Sequence, residues 1–138
     1  MMRGEAVEQR LDQLRQEQIE GTSYRQIEGD WSEGLLILCD HADNRIPPPY
    51  GELGLTPEDL NRHIAFDIGA AGVAERLAEI LGVPALLTRF SRLLIDPNRG
   101  VDDPTLVMQI SDGRIVPGNA CIDQAEIEAR IRRYYAPY

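Results

Sequence analysis

The residues able to do chemistry fall in three places along the chain. His41, Asp43 and Asn44 follow an apolar run, His63 and Asp67 come next, and Asp96, Asn98 and Arg99 close a second apolar run. Histidine and carboxylates can ligate a metal or move a proton, and a catalytic zinc takes three protein ligands. The candidates are His41, Asp43, Asn44, His63, Asp67 and Asp96. They furnish two plausible ligands and an open third, since an asparagine amide is a poor ligand for zinc. Arg99 suits a two-pronged grip on a carboxylate, which Asn98 beside it can share. Each residue also has an ordinary structural use. His41 can be a hydrogen-bonding group at a strand end, Asp67 a helix cap, and Arg99 one half of a surface ion pair. No HxxE or HExxH pattern occurs. The glycine-rich dinucleotide and phosphate loops, the GxSxG elbow and the CxxC pair are absent as well, which weighs against those chemistries.

The flanking residues must hold these groups in place. Leu35 to Cys39 is an apolar run too short for a helix and bounded by Gly34, and it predicts a buried strand. Pro47-Pro48-Pro49 then forces an extended loop. Thr56-Pro57-Glu58-Asp59 reads as a helix start, with Thr as N-cap, Pro in the first turn and acids near the positive end of the dipole. Asp67 to Leu81 predicts a longer helix, with Val73, Leu77, Ile80 and Leu81 on one face and Gly82 as its stop. Pro84 to Thr88 predicts a second strand, parallel to the first by a right-handed crossover. Arg92 to Ile95 predicts a third strand and Thr105 to Ile110 a fourth, and Gln124 to about Tyr135 predicts a final helix. Two strand ends, His41 to Asn44 and Asp96 to Arg99, then converge at the carboxyl edge of one sheet, where ligands bind in open α/β folds. Ahead of this, Glu5 to Glu20 has a thin apolar stripe, and Tyr24 to Trp31 reads as a connector. The chain divides into an arm and connector over 1–33 and an α/β domain over 34–138.

The chain has 138 residues and a net charge of −9, and every basic residue is arginine. That balance argues against nucleic acid or an anionic membrane as partner, while a local arginine can still hold an anionic small molecule. Cys39 and Cys121 are the only cysteines, read as reduced thiols in a cytoplasmic protein. No secretory or membrane-spanning run is present.

Five ordered blocks carry a resemblance. They are Cys39-Asp40-His41-Ala42-Asp43-Asn44-Arg45-Ile46-Pro47; Leu53-Gly54-Leu55; His63-Ile64-Ala65-Phe66-Asp67-Ile68-Gly69-Ala70; Ser91-Arg92-Leu93-Leu94-Ile95-Asp96-Pro97-Asn98-Arg99; and Ile115 with Pro117-Gly118-Asn119. Together they resemble the N-formylglutamate amidohydrolase family. The resemblance implies a three-layer α/β sandwich with a mostly parallel or mixed sheet, like that of zinc-dependent exopeptidases. It implies hydrolysis of N-formyl-L-glutamate, or a similar N-acyl amino acid, to formate and glutamate, late in histidine degradation. By the same resemblance zinc or another divalent metal is the cofactor, with His41 and Asn44 at the positions of metal ligands. Asn98 and Arg99 would hold the substrate carboxylate with Arg92 beside them, and Asp67 and Asp96 would be the catalytic carboxylates. Members of the family are about twice this length, so the chain resembles their N-terminal half: a fragment, one part of a split enzyme or a degenerate paralogue. The missing half would complete the metal site and pair with an open sheet edge. Association with a second polypeptide, or self-association, is therefore expected. A catalytically silent module that binds an acidic amino-acid derivative is the alternative.

Overall fold

The computed structural model describes residues 23–138; the arm helix expected over Glu5 to Glu20 lies outside them. Three strands form a mixed sheet in the order β1 (Tyr24–Ile27), β3 (Ala85–Thr88), β2 (Ile37–Cys39). The expected crossover is present: β2 runs parallel to β3, with Ile37 opposite Ala85 and Cys39 opposite Leu87. The stretch read as a connector instead supplies β1, antiparallel to β3 with Tyr24 opposite Thr88. Its sequence, Tyr-Arg-Gln-Ile, is too polar to announce a strand, yet an edge strand needs only one covered face and gains from charge on its open side.

Helix α1 (Pro57–Leu60) begins as its sequence predicts. The Thr56 side chain accepts from the Asp59 amide while the Asp59 side chain reaches back to Thr56, a reciprocal capping box. Helix α2 (Ala70–Leu81) is shorter than expected, because Gly69 in the left-handed region, not Asp67, precedes its first turn. The helix rests on the sheet through its small residues. Ala74 and Ala78 are buried among Cys39, Ala85 and Leu87. The larger stripe of Val73, Leu77, Ile80 and Leu81 faces outward. Alanine lets helix and sheet axes come close, and here closeness outweighs the burial of larger side chains elsewhere on the helix. Among the described residues this is the one helix packed on the sheet, so a mixed α/β fold is present but a third layer is not seen.

The third expected strand does not form. Leu93, Leu94 and Ile95 are fully buried, but in turns. Ser91 explains why: its hydroxyl donates to the Ala65 carbonyl at 2.7 Å and accepts from the Leu93 amide. Side-chain hydrogen bonds thus satisfy backbone that a ladder would otherwise serve. The fourth expected strand shrinks to a two-residue hairpin, β4 (Ile110–Ser111) with β5 (Arg114–Ile115). The last helix, α3 (Gln124–Arg130), is capped by Asp123 and continues as a π-turn over Ile131–Tyr135.

Two of the sequence blocks prove to be one interlocked packing unit. A Cβ at Gly118 would lie 2.7 Å from the Leu53 Cα, and a Cβ at Gly54 would lie 2.8 Å from Pro117 Cβ. Only glycine permits that approach, and the Gly118 amide donates to the Leu53 carbonyl across it. Asn119, fully buried, then donates to the Leu93 and Met108 carbonyls. These motif residues support the segment that carries Asp96.

Candidate functional site

The site forms where β2 ends. His41, two residues beyond Cys39, is nearly buried, and both ring nitrogens face carboxylates: Nε2 lies 2.6 Å from Asp96 Oδ1 and Nδ1 lies 3.3 Å from Asp67 Oδ2. Each partner is held by its own backbone. The Asp67 amide donates to the His41 carbonyl, and the Asp96 amide donates to the Leu106 carbonyl. Asp96 has no exposed surface, and its remaining lone pairs are spoken for. Oδ1 also accepts from the Asn98 amide, and Oδ2 accepts from Arg92 Nη2 at 3.0 Å. Arg92 Nη1 stands 3.5 Å from Asp67 Oδ1, so this guanidinium spans both carboxylates. Arg99 Nε lies 3.8 Å from Asp96 Oδ2, with its side chain still partly open to solvent.

The charges set each other. The hydrogen bond that His41 makes to the Asp96 carboxylate raises the His41 pKa, against the opposing effect of burial and with the Asp96 charge assisting. Burial pushes Asp96 up, but the His41 hydrogen bond, the Asn98 amide and the Arg92 charge together bring it below the ordinary carboxylate range. The raised His41 pKa favours the protonated ring, in which each ring N–H would meet a carboxylate.

His41, Asp67, Asp96, Arg92 and Arg99 are thus brought together as the sequence suggested, although Asp96 arrives on a buried turn and not on a strand. Asp67 does not cap α2; its carboxylate turns to His41 and Arg92 instead. Asn98 reaches Asp96 through its backbone amide. Asn44 is directed elsewhere: its Nδ2 donates to the Leu60 carbonyl and lies 3.3 Å from Asn61 Oδ1. His63 is exposed and pairs with Asp112. Two supports were not visible in the sequence. Thr88, buried at the end of β3, accepts from the Ala42 amide and donates to the Asp40 carbonyl. Tyr138 donates its hydroxyl to Asp40 Oδ1 at 2.7 Å, beside His41. A threonine ending a strand is an ordinary residue there, and the Tyr138 contact spans almost the whole described chain, so neither leaves a local signal.

The donor set can be compared with what zinc requires. Among the described residues no three His, Cys, Asp or Glu side chains are grouped so as to hold a metal ion. Both His41 nitrogens are already engaged by carboxylates. The described residues therefore do not make a zinc site by themselves. Among the described residues no helix is long and apolar enough to cross a membrane.

The fold and site together define a mixed α/β domain with a histidine–carboxylate–arginine cluster at a strand end. The family model for N-formylglutamate amidohydrolase matches residues 33–138, and the chain belongs to that family. The crystal structure of the gene product Atu2144 from Agrobacterium tumefaciens is similar, with a TM-score of 0.79 and 36% identity. That likeness covers 88% of this chain and 48% of the other, so the chain spans about half the length of the Agrobacterium protein. No curated protein matches the chain.

Proposed function

We propose that the chain carries the His41–Asp67–Asp96–Arg92 part of a hydrolytic site for the linear amide of an N-acyl acidic amino acid. The reaction is N-formyl-L-glutamate plus water to formate and L-glutamate. The observation that supports this best is the buried His41 imidazole held between two carboxylates that Arg92 bridges, in a chain of this family. Arg99, partly exposed beside Asp96, grips the substrate carboxylate with Asn98 and fixes the formyl group relative to the carboxylates. Asp67 takes the role of base because its side chain is 54% exposed and water can reach it. It removes a proton as the water oxygen bonds to the formyl carbon, and returns it to the leaving nitrogen as the C–N bond breaks. Asp96, closed off from solvent, is a positioning residue that holds His41 and Arg92. Zinc belongs to this reading on family grounds; its remaining donors would come from outside the described residues, and the steps above use the chain's own groups.

The test is formate release from N-formyl-L-glutamate by the purified chain, with and without added zinc. Turnover is expected, lowered about 100-fold by Asp67→Asn, with Arg99→Ala acting mainly on KM. Absence of turnover in both conditions would overturn the hydrolytic reading for this chain. The incomplete donor set favours a second reading, a binding module for acidic amino-acid derivatives. Zinc-independent binding of N-formyl-L-glutamate in a calorimeter, lost in Arg99→Ala, would then distinguish it.

A further inference from the structure

The loop that follows Asp96 folds back on itself. The Asp96 amide donates to the Leu106 carbonyl and closes its base. Inside it, the Arg99 amide donates to the Asp96 carbonyl and the Asp103 amide to the Gly100 carbonyl. These turns bring Asp103 alongside Arg99, and the Asp103 carboxylate is itself anchored. Its Oδ1 accepts from both the amide and the hydroxyl of Thr105, while Oδ2 faces Arg99 Nη1 at 3.9 Å. The Thr105 hydroxyl, and then its amide, hold the Asp103 carboxyl below the ordinary carboxylate range, so it stays ionised beside the arginine. On the backbone side, the Tyr135 hydroxyl donates to the Arg99 carbonyl at 2.8 Å and ties this loop to the π-turn after α3.

The guanidinium is thus addressed at two of its nitrogens. Asp96 Oδ2 lies 3.8 Å from Nε, and Asp103 Oδ2 lies 3.9 Å from Nη1. The nearest approaches fall at those two ends, so Nη2 is left for a ligand oxygen, on a side chain 43% exposed. Both distances exceed a hydrogen bond, so the two carboxylates bias the guanidinium by charge and do not lock it. A ligand that binds a free arginine must order it, and that ordering opposes binding. A fixed carboxylate on each flank removes part of the freedom beforehand.

We propose that Asp103, fixed by Thr105, is a positioning residue that presents Arg99 to the carboxylate of an N-acyl acidic amino acid. This rests on the reading of Arg99 as the carboxylate anchor. Two effects of Asp103 compete. Its charge repels an incoming carboxylate, and its contact restricts Arg99. The repulsion acts at a partly solvated surface, where salt screens it, whereas the freedom of a long side chain is lost on binding at any salt concentration. Positioning therefore outweighs repulsion, which fixes the sign of the test.

The experiment reads Arg99 directly, in the full chain without ligand, as the heteronuclear NOE at its Nε–H. Asp103→Asn keeps an acceptor for Thr105 and removes the charge toward Arg99, so the loop should stand. Asp102→Asn makes the same change in net charge one residue away, and among the described residues Asp102 forms no ion pair with Arg99. The Arg99 NOE is expected to fall in Asp103→Asn and to hold in Asp102→Asn. Thr105→Val, which keeps the amide donor and loses the hydroxyl, should lower it by less. The NOE of the buried Arg130 should hold in every variant. Calorimetry with N-formyl-L-glutamate is the second arm, with a Kd about 3-fold weaker in Asp103→Asn and unchanged in Asp102→Asn. An unchanged Arg99 NOE in Asp103→Asn overturns the proposal. So does a loosened Arg99 with an equal or tighter Kd, which would make Asp103 only a repulsive neighbour. A fall of the Arg130 NOE alongside that of Arg99 also overturns it, because the effect would then be general loosening. Absence of binding by the native chain refutes Arg99 as the anchor for this ligand, and the NOE series then decides by itself whether Asp103 positions Arg99.

Discussion

Asp96→Asn should lower the unfolding free energy by about 3 kcal/mol, the low end of the cost of removing one partner from a buried ionic group. The reason is a mismatch of donors. Asp96 accepts from His41 and the Asn98 amide on Oδ1 and from Arg92 on Oδ2. Asparagine keeps one acceptor oxygen and sets an NH2 group against the other donors. Turning the amide one way faces it to Arg92; turning it the other way faces it to His41 and the Asn98 amide. His41 can relieve part of the conflict by giving up its proton, and Arg92 is partly solvated, so the loss stays below that of a sealed ion pair. The pH dependence gives a second signature. The His41 pKa is raised above its ordinary 6.5, so its contribution is complete below that pH and fades as pH rises through the raised value. The Asp96 pKa is lowered below its ordinary 3.8, so its contribution is present above that pH and fades as pH falls through the lowered value. Stability of the native chain should therefore be highest between these two pH values and decline on both sides, with both limbs flattened in Asp96→Asn. Urea titrations at a series of pH values would show this. A variant within 1 kcal/mol of the native chain, with the same pH profile, would refute the argument.

The parts of this fold that were legible in sequence share one physical feature: their signal is local. Thr56, Pro57 and Asp59 specify a helix start within four residues, and the structure has it. The apolar run to Cys39, the glycine stop at Gly82 and the run to Thr88 specify a crossover whose chirality follows from general rules, and the two strands pair in parallel. Where the outcome depended on long-range partners, the local pattern misled. Arg92 to Ile95 is apolar enough for a strand, but Ser91 draws the backbone into turns through Ala65. Asp67 is a good helix cap in isolation, but His41 and Arg92 offer its carboxylate a stronger interaction than an amide does. The outward stripe of α2 has the spacing of a core face, and its exposure could not be read from periodicity, which reports that a stripe exists and not what covers it. The site follows the same division. Residue types and order indicated His41, Asp67, Asp96 and Arg99, and the family resemblance added Arg92, whereas the direction of the Asn44 amide toward Leu60 depends on a contact sixteen positions away.

Arg130 is the clearest case of a residue whose role only the folded chain reveals, and Arg130→Ala should cost about 4 kcal/mol. In sequence it is one of several arginines near a helix C-terminus, where a positive charge offsets the dipole. In the structure it is 2% exposed. Its Nη1 donates to the Leu94 carbonyl and to Asn119 Oδ1, its Nε donates to Glu126, and its guanidinium lies 4.8 Å from the centre of the Tyr50 ring. Truncation to alanine leaves two buried acceptors unpaired and opens a cavity against Tyr50, and each of these alone is costly. Arg130→Met separates the two effects, because it fills most of the volume without restoring the donors. It should lie between alanine and the native chain, and a methionine variant as stable as the native chain would show that packing alone accounts for the residue. The consequence reaches the site through a short path. Leu94 stands two residues before Asp96, and Asn119 holds the Leu93 carbonyl from the other side. Loss of the arginine should therefore speed hydrogen exchange at the Asp96 and Asn98 amides more than at the amides of β3, because only the former lie on the turn that α3 pins. Uniform loss of protection across the chain would mean that Arg130 stabilises the domain without positioning Asp96.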